Sequence, residues 1–248
     1  MANKHNLDRN IPAEVKRIVR KRCGFGCIIC GIATVEYHHF DPEFSDAKQH
    51  DAGGIVLLCP TCHAKVDKGI LNKNSITNAN QNPKCLQEQF VKDIFYIGQN
   101  AIAFKLGSAH FKKVDVITYD GLPLISFTPS EEENGPLLLN ATLYDKDSNH
   151  LLGIIDNEWS SGTNHFDIEA TSNELIIREK KGDIKLRMSH VAESEIAITQ
   201  LEMNYKGFVI KIESDNFLIT TPKSGKMTLK CPNIYSTLKL FSDGSLKL

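Results

Sequence analysis

The chain has 248 residues, 41% of them hydrophobic, which is enough for one large domain or two smaller ones. No apolar run approaches the ~18 residues that a membrane-spanning helix requires, and the polar start of the chain does not resemble a signal peptide. We therefore expect a cytoplasmic protein that does not contact membranes. The formal net charge of −1 masks an asymmetry, because residues 1–98 hold 13 Lys and Arg against 10 acidic residues, whereas residues 99–248 hold 16 against 20.

The first predicted element is a helix over residues 13–22, with Pro12 at its start and Val15, Ile18 and Val19 forming a narrow apolar stripe. The basic side chains of this helix lie mainly on its other faces, and such a group of cations suits contact with a phosphate backbone. A merely solvated helix face is the alternative interpretation. The residues expected to contact nucleic acid are Arg17, Arg20, Lys21 and Arg22.

Cysteine spacing predicts a metal site. Five of the seven cysteines lie between positions 23 and 62, and four of these form two C-x-x-C pairs. In a reducing compartment this spacing indicates thiolate ligands of zinc instead of disulfides. Zinc held by four thiolates prefers a closed tetrahedron, so the predicted role is structural. The ligands are Cys27, Cys30, Cys59 and Cys62, whereas Cys85 and Cys231 stand alone and are expected to be buried small hydrophobic residues.

The 28 residues between the two cysteine pairs exceed the ~15 to 20 of a plain zinc ribbon, so the metal would hold an inserted strand and loop. Residues 34–40 alternate like a strand, residues 41–54 form a polar loop, and residues 55–58 make a second short strand. Residues 59–63 then turn the chain into a helix over residues 64–69. The predicted order is strand, loop, strand, helix.

The inserted segment carries histidines whose spacing suits hydrolysis of a phosphodiester. That reaction needs a base for the attacking water and positive charge facing the scissile phosphate, which a histidine and a divalent metal can provide. His38 and His39 point to opposite sides of the first strand, so one can bind a metal or a structural partner while the other faces the substrate. His63 and Asp67 are four residues apart, share one helix face and can ligate the same ion.

These motifs resemble the HNH endonuclease family, whose ββα-metal core places a histidine on the first strand and metal ligands on the strand and helix. The matching elements are C-x-x-C, His-His and Leu-Leu-Cys-x-x-Cys-His, at residues 27–30, 38–39 and 57–63. The resemblance covers about residues 11–70. It implies a hydrolase that cuts nucleic acid, with DNA favoured over RNA, and a role in bacterial or phage defence or mobile-element biology.

Site roles follow from the resemblance residue by residue. It implies that His39 is the general base and that His63 is a ligand of the catalytic metal. His38 and Asp67 are the candidates for the remaining ligand. The expected catalytic ion is Mg²⁺ or another divalent cation, because a histidine and carboxylate set with open positions admits phosphate oxygens and water. Zinc is expected only at the cysteines.

The chain departs from the HNH pattern at position 54, where the family usually has an asparagine that braces the loop and orients the base. Gly54 stands there, so His39 lacks its expected partner. His50, Asp51 and Asp46 lie in the same loop and are candidate substitutes, although a histidine in a polar loop is more often only solvated. The alternative function is a non-catalytic zinc module that binds nucleic acid or protein.

The rest of the chain predicts a connector and a β domain. Residues 76–100 are expected to be a helical connector, with one helix from Ser75 to before Pro83 and a second over residues 83–96. From about Ile102 the hydrophobic period changes to two, which predicts an all-β domain. The candidate strands span residues 114–118, 122–127, 137–143, 151–156, 165–170, 174–178, 183–188, 195–203, 208–212, 217–220, 226–230 and 237–241.

The β domain carries a weak recurrence, in which Gly182, Gly225 and Gly244 each precede a short alternating segment. This pattern suits an antiparallel sandwich or barrel, with a small β-solenoid as the alternative. The predicted fold class is thus α+β, with a ββα-metal HNH domain in residues 1–75, the connector, and an all-β domain in residues 101–248. We expect the β domain to regulate or target the HNH domain or to form oligomers. It would do so by binding an activating ligand or a second copy of the chain.

Overall fold

The computed structural model describes residues 2–97, 103–111, 115–132, 135–191, 195–229 and 233–248. The chain divides into two compact units: unit 1 comprises Met1–Asp93 and Gly162–Thr171, and unit 2 comprises Ile94–Ser161 and Ser172–Leu248. The fold is α+β, with a small ββα region and a four-cysteine cluster in unit 1 and mostly β-sheet in unit 2. None of the helices in the described ranges is both long enough and apolar enough to cross a membrane.

The elements follow in chain order, and a 3-10 helix at Ala52–Gly54 lies between the first two strands. They are α1 (Ala13–Arg22), β1 (Glu36–His39), β2 (Ile55–Leu58), α2 (Pro60–Asp67), α3 (Lys73–Gln81), α4 (Lys84–Glu88), β3 (Phe90–Ile94), β4 (Ala103–Leu106), β5 (Ala109–Phe111), β6 (Asp115–Tyr119), β7 (Leu122–Pro129), β8 (Leu137–Tyr144), β9 (His150–Ile155), β10 (Glu158–Gly162), β11 (Asp167–Ala170), β12 (Glu174–Lys180), β13 (Asp183–Val191), β14 (Glu195–Tyr205), β15 (Phe208–Glu213), β16 (Asn216–Thr221), β17 (Gly225–Leu229), β18 (Leu238–Leu240) and β19 (Leu246–Lys247).

The core of unit 1 forms around β2, all four of whose residues are buried. β2 pairs antiparallel with β1, so that His38 lies opposite Val56 and His39 opposite Ile55. The predicted helix over residues 13–22 is confirmed as α1, and its Val19 is fully buried in the same core. The predicted order of strand, loop, strand and helix is also confirmed.

Helix α2 begins at Pro60, earlier than the predicted residue 64. Cys59 precedes the first turn in extended conformation, and its Sγ accepts a hydrogen bond from the Cys62 amide at 3.4 Å. Proline suits the first turn of a helix, where no amide donor is needed. The second cysteine pair is therefore part of the first turn of the helix.

The connector departs from the predicted pair of helices. α3 begins at Lys73, capped by Asn72, whose side chain accepts from the Ser75 amide at 2.9 Å. The predicted helix over residues 83–96 is wrong beyond Glu88, because Gln89 has φ 64° and ends α4, and a strand follows. Of the four apolar side chains that suggested the helix, Leu86, Phe90 and Ile94 are exposed, at 41%, 36% and 45%, and Ile97 is buried. Val91, outside that stripe, is fully buried.

All twelve predicted strands overlap observed strands, although Val114 and Lys230 lie outside the described residues. The strand predicted at residues 165–170 is β11, which belongs to unit 1. Five further strands, β3, β4, β5, β10 and β19, lie outside the predicted strands. Trp159 is 2% exposed in β10, as expected of a core residue.

Unit 2 contains two sheets. In the first, β6 to β10 form an antiparallel meander, and β18 adds to β6 in parallel, with β19 beside it. In the second, β12 to β17 form another meander, and β4 pairs in parallel with the first residues of β14. Across the described ranges these sheets form neither a closed barrel nor a solenoid.

The glycine recurrence marks turns between antiparallel neighbours. Gly182, Gly225 and Gly244 have φ of 79°, 72° and 81°, conformations that glycine adopts without steric cost. Each lies where one strand reverses into the next, so the recurrence reflects hairpins instead of solenoid coils. Aromatic pairs join the two sheets of unit 2, with ring centroids 5.9 Å apart for Phe104 and Phe127 and 5.2 Å apart for Tyr119 and Tyr205.

Candidate functional site

The four predicted zinc ligands come together in unit 1. The Sγ atoms of Cys27, Cys30, Cys59 and Cys62 all lie within 4.8 Å of one another, and those of Cys30 and Cys59 are 3.5 Å apart. Zn–S distances of about 2.3 Å in a tetrahedron place neighbouring sulfur atoms about 3.8 Å apart. The cluster can therefore bind a structural Zn²⁺.

The surroundings of the cluster favour thiolates at some positions only. Hydrogen bonding by Cys30 lowers the pKa of Cys27, while the same contact and burial raise the pKa of Cys30. Burial raises the pKa of Cys62 to about 12. Four thiolates so close together require a cation to balance their charge, which a structural zinc provides.

Cys23 and Cys85, the described cysteines outside the cluster, are buried thiols. Burial raises the pKa of Cys23 to about 11 and that of Cys85 to about 12. Cys85 donates a hydrogen bond to the Gly31 carbonyl at 3.3 Å, next to the first cysteine pair. Cys85 is therefore buried as expected, and Cys231 lies outside the described residues.

His38 and His63 contact each other directly. The Nδ1 of His38 and the Nε2 of His63 are 3.0 Å apart, and the Nδ1 of His63 lies 2.5 Å from a carboxylate oxygen of Glu36. Burial and the neighbouring His63 lower the pKa of His38 below its ordinary value. Glu36 of β1, His63 of α2 and His38 of β1 thus form one hydrogen-bonded row, with His63 in the middle.

His39 has a separate set of partners. Its Nε2 lies 3.1 Å from the Nδ1 of His50, and its ring packs edge-on against Phe44 with centroids 5.3 Å apart. His50 continues the contact, with its Nε2 at 2.9 Å from the carbonyl oxygen of Asp8. Burial, together with the neighbouring His50 and His38, lowers the pKa of His39.

His38, His39 and His63 line one cavity of about 950 Å³ in unit 1. Asp67 of α2 lines the same cavity and, by its charge, acts to raise the pKa of His38 against the effect of burial. Among the described residues, the four cysteines are the one group of three or more Cys, His, Asp or Glu whose ligand atoms all lie within 4.8 Å of one another. His38, His63 and Asp67 therefore share a cavity without forming an equally compact set.

The rim of this cavity carries cations. Arg9 stacks over the Phe44 ring, with the guanidinium carbon 5.0 Å from the centroid, and its charge acts on His39. Lys4 pairs with Asp46, and Lys73 pairs with Asp41 at 2.9 Å; both lysines are largely exposed. All three cations line the cavity.

Arg20 and Lys21 of α1 form hydrogen bonds with other residues of unit 1. Arg20 is 8% exposed and forms a bidentate pair with Asp167, at 2.8 and 2.6 Å, and donates to the Tyr37 hydroxyl at 2.8 Å. Lys21 donates to the carbonyls of Thr163 and His165 at 3.0 and 2.6 Å. These contacts bind α1 to the segment Gly162–Thr171 and keep Arg20 buried.

Arg17 and Arg22, the other two α1 cations expected to contact nucleic acid, have internal partners as well. Arg17 pairs with Glu14 and stacks over the Phe166 ring at 4.6 Å. Arg22 donates to the carbonyls of Ala52 and Ile55 and to the side chain of Asn80. These four α1 cations thus all have partners inside unit 1, and their predicted contact with nucleic acid stays a prediction.

The backbone around Gly54 leaves no room for a side chain at this position. The Gly54 carbonyl accepts from the amides of Phe40 and Asp41 at 3.0 and 3.3 Å. A Cβ at position 54 would lie 2.0 Å from the Asp41 carbonyl oxygen, so no side chain fits there without a backbone shift. Of the candidate substitutes, His50 reaches His39, whereas Asp51 caps the 3-10 helix and Asp46 pairs with Lys4.

Sequence reasoning missed several residues of these networks, among them Glu36 and Asp167. Glu36 lies two positions before His38 on the same strand, and the strand period alone places both on one face, so this partner was available from the sequence. Asp167 is 147 positions from Arg20, and no local pattern links the two. Comparisons of the chain with protein-family models, with curated proteins and with solved structures found no match.

Proposed function

We propose that unit 1 is a metal-dependent endonuclease centre that hydrolyses nucleic-acid phosphodiester bonds, with DNA as the favoured substrate and His39 as the general base. The observation that carries the proposal is the convergence of His38, His39 and His63 on one cavity with cations at its rim. The order of cysteine and histidine motifs along the chain, which resembles that of HNH endonucleases, supports the same assignment.

His39 suits the role of base by its position. Its contact with His50 uses Nε2, which leaves Nδ1 as the second nitrogen of the ring. An imidazole nitrogen with a free lone pair, within hydrogen-bond reach of a water in the cavity, can take the proton of that water as it attacks phosphorus. The Phe44 ring packed against His39 limits the rotation of the imidazole and so keeps this orientation.

The candidate holders of the catalytic cation are His38, His63 and Asp67. The 3.0 Å between the nitrogens of His38 and His63 is compatible with adjacent ligands of an octahedral ion, which lie about 3 Å apart at ligand distances of about 2.1 Å. Glu36 bonds the other nitrogen of His63, as outer carboxylates do for metal-binding histidines. When bound, Mg²⁺ supplies positive charge for the scissile phosphate and the leaving oxygen.

Phosphate contacts are assigned to the rim of the cavity instead of α1. Arg9 is oriented by Phe44 beside the base, and Lys4 and Lys73 extend the positive rim in exposed pairs that a phosphate can replace. Contacts of this kind position the substrate and give affinity without reading sequence. The cations of α1 remain structural.

The test is cleavage of supercoiled plasmid, linear DNA and single-stranded RNA by the zinc-loaded full chain, with and without Mg²⁺ or Mn²⁺. We expect metal-dependent cleavage that His39→Ala reduces by about 10²- to 10⁴-fold, the usual contribution of a general base. His150→Ala, in unit 2, is the matched histidine control and should cleave like the wild type. Zinc content should be equal in all three proteins.

Two results would contradict the proposal. One is cleavage by His39→Ala at the wild-type rate. The other is no cleavage of any of the three substrates by a folded, zinc-loaded wild type with either metal. The second result would favour a zinc module that binds nucleic acid without cleaving it.

A second candidate function, a non-catalytic zinc module that binds nucleic acid, is favoured by one observation. Glu36, His63 and His38 satisfy one another by hydrogen bonds, as purely structural histidines would. This candidate predicts DNA binding that Mg²⁺ does not change and no loss of affinity in His38→Ala. A nuclease centre predicts that Mg²⁺ binds to the wild type, measured by calorimetry, and that His38→Ala weakens this binding.

A further inference from the structure

His39 lies at the end of a hydrogen-bonded chain that begins at a backbone carbonyl. The Asp8 carbonyl oxygen is 2.9 Å from the Nε2 of His50, and the Nδ1 of His50 is 3.1 Å from the Nε2 of His39. The turn that presents this carbonyl is itself held, because the Asp8 side chain accepts from the Asn10 amide at 2.7 Å. Both rings are partly buried, which restricts their rotation.

The direction of each hydrogen bond follows from the first group. A carbonyl oxygen can only accept, so the Nε2 of His50 carries a hydrogen. A neutral imidazole has one N–H, and the Nδ1 of His50 is therefore an acceptor. The Nε2 of His39 must then donate to it, which leaves the lone pair of His39 on Nδ1. The backbone carbonyl of Asp8 thus sets the tautomer of His50 and, through His50, that of His39.

The position that would ordinarily provide a brace is closed to side chains in this chain. Any Cβ at position 54 meets the Asp41 carbonyl at 2.0 Å. The loop between β1 and β2 instead supplies His50, which is followed by Asp51 at the cap of the 3-10 helix. The cap bond from the Gly53 amide to Asp51, at 3.0 Å, fixes the backbone next to His50.

From this geometry we infer that His50 is a positioning residue that holds His39 in the tautomer with hydrogen on Nε2 and the lone pair on Nδ1. The inference rests on the proposed function for its consequence, since the lone pair matters only if His39 acts as a base. His50 itself does not touch the reacting atoms. Its role is comparable to that of a group that fixes the tautomer of a catalytic histidine in a hydrolase.

The test reads the tautomer directly, by two-bond ¹H–¹⁵N correlation spectra of the zinc-loaded full chain labelled at histidine, without Mg²⁺. In the wild type we expect His39 and His50 both with hydrogen on Nε2. In His50→Leu, which has no acceptor, His39 should become a mixture of tautomers. In His50→Asn the side-chain oxygen takes roughly the place of Nδ1, accepts from His39 and should restore the single tautomer.

Unchanged zinc content and amide spectra distant from the cavity establish that the variants are folded. His39 with hydrogen on Nδ1 in the wild type, or a single Nε2–H tautomer in His50→Leu, would overturn the inference whatever the activity. These spectra are independent of cleavage, so an inactive wild type would refute the proposed function and leave the tautomer result decisive.

Kinetics provide the second readout. We expect His50→Leu to lower kcat on the order of 10- to 100-fold, as loss of a partner that orients a functional histidine does, with KM for DNA unchanged. His50→Asn should recover part of kcat. A rise in KM with unchanged kcat would show that His50 binds substrate instead of positioning the base.

Discussion

Unit 1 and unit 2 both have an apolar core, but unit 1 depends in addition on a few specific polar bonds. In unit 1 the strands have four or five residues, and a few polar groups provide specific bonds: four clustered thiols, the buried Arg20–Asp167 pair and two rows of histidines. In unit 2 the strands reach 11 residues, and alternating apolar side chains from two sheets form the core.

This difference has a consequence for single substitutions. Stability that depends on a few bonds is lost when one of them is removed, whereas a core of many similar apolar contacts loses only a share. The two units can be followed separately in the full chain, because the single tryptophan, Trp159, is buried in unit 2, and zinc release reports on unit 1. The predictions below run from the largest expected effect to the smallest.

Removal of one zinc ligand should have the largest effect. Structural zinc sites contribute apparent free energies of about 10 to 16 kcal/mol, so Cys59→Ser should abolish zinc binding and the folding of unit 1 while the Trp159 signal stays native. Zinc content and mapped proteolytic cuts in residues 2–93 measure this. The matched control is Cys85→Ser, a buried thiol outside the cluster that should keep its zinc. Loss of both signals in Cys59→Ser would disprove the separation of the units.

The next effect is expected from the buried ion pair. Arg20→Ala leaves the Asp167 carboxylate buried without its partner, which costs about 3 to 5 kcal/mol. Urea unfolding followed by zinc release should show this loss, and Lys48→Ala, at an exposed cation, should not. If Arg20→Ala instead lowers DNA affinity and leaves the unfolding midpoint unchanged, Arg20 contacts the substrate and does not stabilise the fold.

A polar turn in unit 2 should have a moderate effect that depends on pH. Burial alone would raise the pKa of Asp145, but hydrogen bonds from Lys185 and Asn149 outweigh it and lower the pKa from 3.8 to about 2. Asp145→Asn should therefore lower the free energy of unfolding at pH 7 by about 1 to 3 kcal/mol. Trp159 fluorescence in urea measures this loss.

The sign of the pH effect follows from the lowered pKa. The contribution of ionised Asp145 is fully present above pH 3.8 and is lost as the pH falls through about 2. The difference between wild type and Asp145→Asn should thus shrink below pH 4. A difference that stays constant from pH 7 to pH 2 would show that the charge of Asp145 contributes nothing.

The smallest effect on stability is expected at the exposed pair of Lys73 and Asp41. Lys73→Gln should change the free energy of unfolding by less than about 1 kcal/mol, because exposed ion pairs contribute little. The same variant should weaken DNA binding and reduce the slope of log affinity against log salt by about 1, as loss of one phosphate contact does. Unchanged affinity and slope would remove Lys73 from the proposed rim.

The sequence predicted what local patterns determine. The alternation in unit 2 identified strands, and the spacing of the cysteines identified the cluster, because strand period and ligand spacing are properties of neighbouring residues. The helix over residues 83–96 failed for the same reason: Phe90 and Ile94 have helical spacing, but tertiary burial selects Val91.

The contacts that define the candidate site depend on distant residues. His50 reaches His39 only because the loop places them together, and nothing in the composition of that loop distinguishes it from a solvated one. The same holds for α1, because its partners Asp167, Phe166 and the carbonyl of Thr163 are distant in the sequence and no local pattern predicts them.

The segment Gly162–Thr171 also delays the folding of unit 1 during synthesis, because it is made long after α1. Arg20 and Asp167 are 147 residues apart. At synthesis rates of about 5 to 20 residues per second, Asp167 is therefore added to the chain roughly 7 to 30 seconds after Arg20. A nascent chain arrested before residue 162 should be open to protease near α1, and one arrested well beyond residue 171 should be protected. Unit 1 is then completed only after residue 171 has been synthesised, although most of its residues precede residue 94.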